Sequence, residues 1–270
     1  EFRRVLFRSL AGGINNIGTT IAPLIVSFAL FGKVGGNNDL DVGAVKTPYL
    51  ILGLAFLAAA YFFLKSSIPD QIENNEEQSA ETSKKSVFKY PQLVLGMIAI
   101  FVYVGVEVST ASNLPEFMKQ KLHVQESDIA PYVSLFWASL MIGRWTSAGM
   151  VFAKSDRQKM IFRLALPYGA FSIFLLSNAI AGRDVTVFFP YAGVIALLVF
   201  ADYISKGNPS KQLMIYSTGG ILALVVGIFG DGMLSAYAFI SVGLFCSTLW
   251  PCIYTLAISG LGAKTNEASG

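Results

Sequence analysis

Glu107 is the single acid in the apolar run Leu93–Ala111. A carboxylate at membrane depth costs about 2.5–3.5 kcal/mol on insertion scales, so it ordinarily faces a bundle interior or a water cavity. With ~1.5 Å of rise per residue, Gln92 falls ~22 Å to one side and Lys119 ~18 Å to the other. Glu107 is near mid-membrane if the helix persists to Lys119, and shallower, toward the headgroups, if it breaks at Pro115. Tyr103, Glu107 and Thr110 follow i, i+4, i+7 spacing and share one helix face. Ser109, Ser112 and Asn113 add polar groups toward Pro115, and so many on one helix argue for a wet face.

Other polar residues sit in equally apolar surroundings. Asn15 and Asn16 open the run to Pro23, and amides in a membrane helix must find partners because lipid offers none. They either glue helices together or line a polar cavity that binds a hydroxylated ligand. Adjacent residues on a helix point about 100° apart, so at most one faces such a cavity while the other packs on a neighbour. Gly143-Arg144-Trp145 closes another run: Gly143 allows close helix approach, and Arg144 can pair with an acid or with orphan helix carbonyls. A helix-end arginine is ordinarily a snorkelling anchor. In the last run, Pro251 frees the carbonyl of residue 247 and kinks the helix. Trp250 beside it could stack on the apolar face of a sugar ring or simply pack.

The elements that must hold these residues are membrane helices. Hydrophobic residues make up 54% of the 270 and charged residues 14%, against about 25% charged in a soluble domain. Runs of ~20 apolar residues predict eight spans: 10–32, 48–64, 92–114, 129–153, 161–181, 186–204, 213–230 and 233–258. The stretch 65–91 is too polar to bury a core and reads as a flexible linker between two bundles. Placing that linker in the cytoplasm puts twelve Lys and Arg residues inside (among them Lys65, Lys89, Arg144, Lys154, Arg163, Lys206 and Lys211). Five then lie outside: Lys33, Lys46, Lys119, Lys121 and Arg183. The positive-inside rule supports this orientation.

Composition also excludes chemistries. The net charge of +3 is spread over loops, with no basic run interleaved with stacking aromatics as nucleic-acid binding requires. His123 is the sole histidine, which removes His-based metal sites and serine–histidine catalysis. Cys246 and Cys252 lie about 9 Å apart along a helix, too far for a disulfide. No paired-aspartate motif for a metal diphosphate occurs inside a span, which argues against a membrane-embedded enzyme.

Taken together, the chain resembles the sugar-transporting branch of the major facilitator superfamily, which contains the fucose permeases and bacterial glucose/galactose transporters. The residues that carry the resemblance are Asn16-Ile-Gly-Thr-Thr-Ile-Ala-Pro23, Lys46-Thr-Pro-Tyr49, Tyr103-Val-Gly-Val-Glu107, Ile142-Gly-Arg-Trp145 and the run Trp250–Gly262. The implied fold is all-α, a polytopic transmembrane helical bundle forming a partial major-facilitator fold with about eight membrane helices. Residues 1–9 look like a translated sequencing adapter. Residues 10–64 would be the end of an N-terminal bundle (the family's helices five and six), and 65–91 the cytoplasmic linker. Residues 92–262 would be the C-terminal bundle, helices seven to ten plus an inserted pair at 186–230, and 263–270 a truncated cytoplasmic loop.

The function implied is part of a secondary active transporter. It would move a monosaccharide of the fucose, glucose or galactose class across a bacterial inner membrane by cation-coupled symport, with alternating access around a midplane site. The expected substrate-binding residues are Asn16, Tyr103, Glu107, Thr110 and Trp250, with Asn15 and Asn113 beside them. Arg144 and Pro251 would belong to the cytoplasmic gate, away from the sugar. No metal or cofactor is expected beyond a coupling H+ or Na+. The expected partners are the sugar, the lipid bilayer and the remaining helices of the full-length chain. The family's coupling acids lie on helices not represented here, and the fucose permeases carry glutamine at the position of Glu107. A facilitator of nucleosides or drugs is the alternative function, and a membrane-embedded enzyme the remote one.

Overall fold

The computed structural model describes residues 15–26, 46–66, 87–149, 153–261, 265 and 268. The expectations for residues 1–9, for the linker between 67 and 86, and for the 263–270 segment apart from 265 and 268 fall outside the described residues. Nine helices are seen among the described residues: α1 (15–26), α2 (Lys46–Lys65), α3 (Pro91–Leu122), α4 (Glu126–Gly149), α5 (Asp156–Ile180), α6 (Tyr191–Ser205), α7 (Pro209–Phe229), α8 (Gly232–Cys246) and α9 (Leu249–Ala257). Among these residues, the spans long and apolar enough to cross a membrane are Pro48–Lys65, Pro91–Leu122, Asp156–Ile180, Thr186–Ser205, Pro209–Phe229 and Gly232–Ala257.

Several of the described helix ends are set by local chemistry. α3 ends at His123, in the left-handed region with φ 53°, and the Val124 N–H reaches back to the Met118 carbonyl at 3.1 Å. Lys119 on the last turn of α3 pairs with Glu126 on the first turn of α4 at 2.5 Å. Ser155 caps α5 by accepting from the Gln158 N–H at 3.3 Å. Between α6 and α7, Lys206 (φ 51°) and Gly207 (φ 72°) turn the chain. Asn208 then accepts from the Lys211 N–H at 3.1 Å, and Pro209 takes the first helical position, where its missing N–H costs nothing.

α4 and α8 form the centre of the bundle. Leu135, Phe136, Ala138, Leu140, Met141 and Ile142 of α4 are at most 1% exposed, and α8 buries Ala236, Ile240, Val242 and Leu244 completely. The two helices approach closely where glycine removes a side chain: a Cβ at Gly243 would stand 2.7 Å from the Phe136 carbonyl, and one at Gly143 would strike Ser247. The position of α4 also explains why it is not among the most apolar helices. Its neighbours are protein and not lipid, so it carries the buried Ser134, Ser139 and Thr146, each bonded to a carbonyl. By contrast, no described side chain of α2 is buried.

The predicted 233–258 span is two helices. The chain is helical to Cys246, turns at Ser247 and Thr248, and is helical again from Leu249. The interruption begins four residues before Pro251, where the ring meets the preceding turn and no N–H is present to bond the Ser247 carbonyl. At Pro115 the outcome is the opposite: α3 runs through it for 32 residues.

Candidate functional site

Because α3 is continuous, Glu107 lies about 24 Å along the axis from Pro91 and about 22 Å from Leu122. It is therefore at the middle of the helix. One turn earlier, the buried Tyr103 donates its hydroxyl to Glu107 Oε2 at 2.5 Å. Glu107 is half-buried, as is Thr110 one turn further on, so the i, i+4, i+7 face exists as a face. The thiol of Cys246, at the end of α8, lies within electrostatic reach of both Tyr103 and Glu107.

Arg144 approaches the same region from α4. Its Nε donates to the Ser247 carbonyl at 3.2 Å, the oxygen that Pro251 leaves without a helical partner. Its Nη1 donates to Asn16 Oδ1 on α1 at 3.1 Å, and its charge is felt by Glu107 and Tyr103. The guanidinium thus joins three elements: a helix from before the 65–91 segment, the break between α8 and α9, and the polar face of α3. Arg144, expected at a gate away from the sugar, here bonds Asn16, one of the residues expected to bind the sugar. A second link between α1 and α4 is made by Ser134 Oγ, which donates to the Thr20 carbonyl at 2.5 Å.

The paired amides separate as helix geometry requires. Asn16 is 3% exposed and Asn15 is exposed. Only one hydrogen-bonding end of Asn16 is used: Oδ1 takes Arg144, while Nδ2 is buried without a partner. That amide is a buried donor that no protein group satisfies. Asn113 is exposed and donates to the Ser109 carbonyl at 2.7 Å, closing a local backbone bond. Trp250, 36% exposed, stacks parallel on Tyr254 with ring centroids 5.3 Å apart. The structure therefore gathers Tyr103, Glu107, Asn16 and Arg144, keeps Thr110 on their face, leaves Asn15 exposed, and gives Asn113 and Trp250 other contacts.

Two features were not singled out in the sequence. Ser134 ties α4 to α1. The second is a buried ion pair: Arg163 Nε of α5 donates to Asp202 Oδ2 of α6 at 2.7 Å, with both residues under 10% exposed. The signal for Asp202 was available, since it too is a lone acid in an apolar run. Among the described residues, no cluster of His, Cys, Asp or Glu could hold a metal ion.

The sequence profile of the Major Facilitator Superfamily matches residues 3–190. The chain is 29% identical to a glucose/galactose transporter of Brucella abortus over 97% of this chain and 51% of that protein. It is 26% identical to a putative glucose/galactose transporter of Helicobacter pylori (97% and 52%) and 24% identical to sodium-dependent glucose transporter 1 of Homo sapiens (89% and 48%). The chain spans about half the length of these curated relatives. No solved structure matches it significantly. The helical architecture, the apolar spans and the matched profile agree: the chain is a multi-pass membrane protein that belongs to the major facilitator superfamily.

Proposed function

We propose that the full-length gene product moves a monosaccharide of the glucose, galactose or fucose class across the membrane by cation-coupled symport. The carrying observation is the Arg144 bridge from α1 to the α8–α9 break beside the Tyr103–Glu107 face. It joins helices from the two sides of the linker, the arrangement that alternating access must open and close. The names of the curated relatives support the substrate class.

In this reading Asn16, Tyr103, Glu107 and Thr110 exchange a sugar's water hydrogen bonds for protein ones. The open Nδ2 of Asn16 donates to a hydroxyl, and Glu107 accepts from one. Arg144 is the gate. While it holds Asn16 and Ser247 together the expected cytoplasmic side is closed, and its release leaves α1 tied to α4 by the Ser134–Thr20 bond, about which the two helices can part. Trp250 and Tyr254 line the approach as a stacked apolar pair. A proton or sodium ion supplies the driving gradient.

The test is uptake of labelled glucose, galactose and fucose by the reconstituted full-length gene product, with and without a proton or sodium gradient. Accumulation of none of them, with uptake of a nucleoside or drug instead, would sink the reading. Glu107→Gln keeps an acceptor for Tyr103 but removes the charge. Losing a hydrogen bond to a charged group is worth about 1.5–3 kcal/mol, so the KM for sugar should rise roughly tenfold or more while gradient-driven accumulation persists. Unchanged KM would make Glu107 a structural residue.

A further inference from the structure

We propose that Asp202 is a proton-binding site, separate from Glu107, at which proton uptake breaks the ion pair that holds α6 to α5. The other ion pairs among the described residues, Lys119–Glu126 and Lys159–Asp156, are exposed; Arg163–Asp202 is buried. Asp202 lies three residues from Ser205, about 4.5 Å from the end of α6, and on the end of the bundle whose lysines mark it as cytoplasmic. The path for a proton from water is therefore short.

Both partners have somewhere to go when the pair opens. Arg163 already sits over the ring of Tyr203, 5.5 Å from its centroid, and keeps that cation–π contact without the carboxylate. For Asp202 the alternative is Tyr216 on α7. Its hydroxyl is fully buried, is approached by nothing better than the Gln212 side chain, with which it makes no close hydrogen bond, and is electrostatically coupled to Asp202 and Arg163. A protonated carboxyl both donates and accepts, so it can satisfy that hydroxyl, whereas the ionised carboxylate prefers the guanidinium.

The groups facing Asp202 are Arg163 from α5, Tyr216 from α7 and the Cys252 thiol from α9, with Tyr203 on its own helix. Gln212 completes the surroundings with long bonds of 3.4 Å to Ser147 Oγ of α4 and to Thr248 Oγ1. None is a second carboxylate or a second cation. Separating α5 from α6 would leave Asp202 charged and unpaired in the bundle, which favours taking up a proton. When Arg163 returns, the carboxyl O–H breaks and its proton passes to water at the near end of the bundle. The two arrangements make a bistable element biased by pH.

Infrared difference spectra of the purified full-length gene product test this directly. On lowering the pH, the wild type should gain a protonated-carboxyl band that Asp202→Asn removes and Glu107→Gln leaves. Tyr216→Phe, which keeps the ring and so the packing, should move the midpoint of that band by about tenfold in proton concentration, roughly one pH unit. Amide exchange over residues 202–205 should quicken as the band grows. Difference spectra unchanged by Asp202→Asn, or a midpoint of the Asp202-dependent band unmoved in Tyr216→Phe, overturn the proposal. If Asp202→Asn does not fold, the Tyr216→Phe midpoint decides alone. The spectra need no substrate, so a preparation that shows the Asp202 band but takes up no sugar counts against the proposed transport and not against this site.

Discussion

Arg144→Gln is expected to lower sugar uptake by the full-length gene product at least about tenfold, since 1.4 kcal/mol is a factor of ten and each charge-assisted bond is worth about 1.5–3 kcal/mol. The bonds of Arg144 to the Ser247 carbonyl and to Asn16 Oδ1 are of this kind. Glutamine is too short to reach both and carries no charge for Glu107 to feel. The loss also strands its partners: Asn16 is buried with Nδ2 already unpaired, and Ser247 is fully buried. Arg144→Lys keeps the cation but reaches only one acceptor at a time, so it should recover part of the uptake. Initial rates at saturating sugar, with expression checked by size-exclusion chromatography, measure both variants. Full activity in Arg144→Gln would remove the bridge from the gate.

The largest stability effect belongs to Gly143. A Cβ there would collide with the Ser247 side chain and come within 3.2 Å of the Leu244 carbonyl, on a segment that cannot move without breaking the α4–α8 contact. Overpacking of this kind costs about 1–3 kcal/mol and sometimes more. Gly143→Val should therefore lower the melting temperature in detergent by roughly 2–12 °C, at 2–4 °C per kcal/mol, or prevent folding. Gly105→Ala, inside α3 with nothing within 4 Å of the added Cβ, should not lower it and should raise it slightly, since alanine is favoured over glycine in a helix by about 0.5–1 kcal/mol. Equal melting temperatures for the two variants would contradict the packing described here.

Much of this arrangement follows from local rules, and the exceptions are instructive. The 100° separation of Asn15 and Asn16, the shared face of Tyr103, Glu107 and Thr110, and the free carbonyl at 247 each depend on one helix and its geometry. Which way Pro115 would act did not follow locally. A proline in a membrane helix leaves a carbonyl without its donor, and here Ala111, Leu114 and Met118 pack against the bundle and hold α3 together across it. The Arg163–Asp202 pair was invisible for a related reason. Its members lie 39 residues apart on different helices, and an acid near a helix end reads as headgroup-facing until a cation from elsewhere buries it. The acceptors that Arg144 finds on α1 and at the helix break are tertiary in the same sense. Trp250 shows the limit of residue type as a guide: an aromatic beside a kink suits a ring-stacking role, and the structure gives it Tyr254 as its stacking partner.

The break at Ser247 and Thr248 has an electrostatic consequence. Cutting the Gly232–Ala257 span divides its macrodipole, so the negative end of α8 and the positive end of α9 meet within the membrane. A continuous helix would show these partial charges only at the two aqueous surfaces, where water screens them. Here each is exposed to protein alone, and Arg144 sets a full positive charge at the negative end. The backbone thereby fixes the sign of the group required at that point, whatever side chains surround it. A cation held by a severed helix can be released only if another negative group receives it, and Glu107 is the carboxylate within reach.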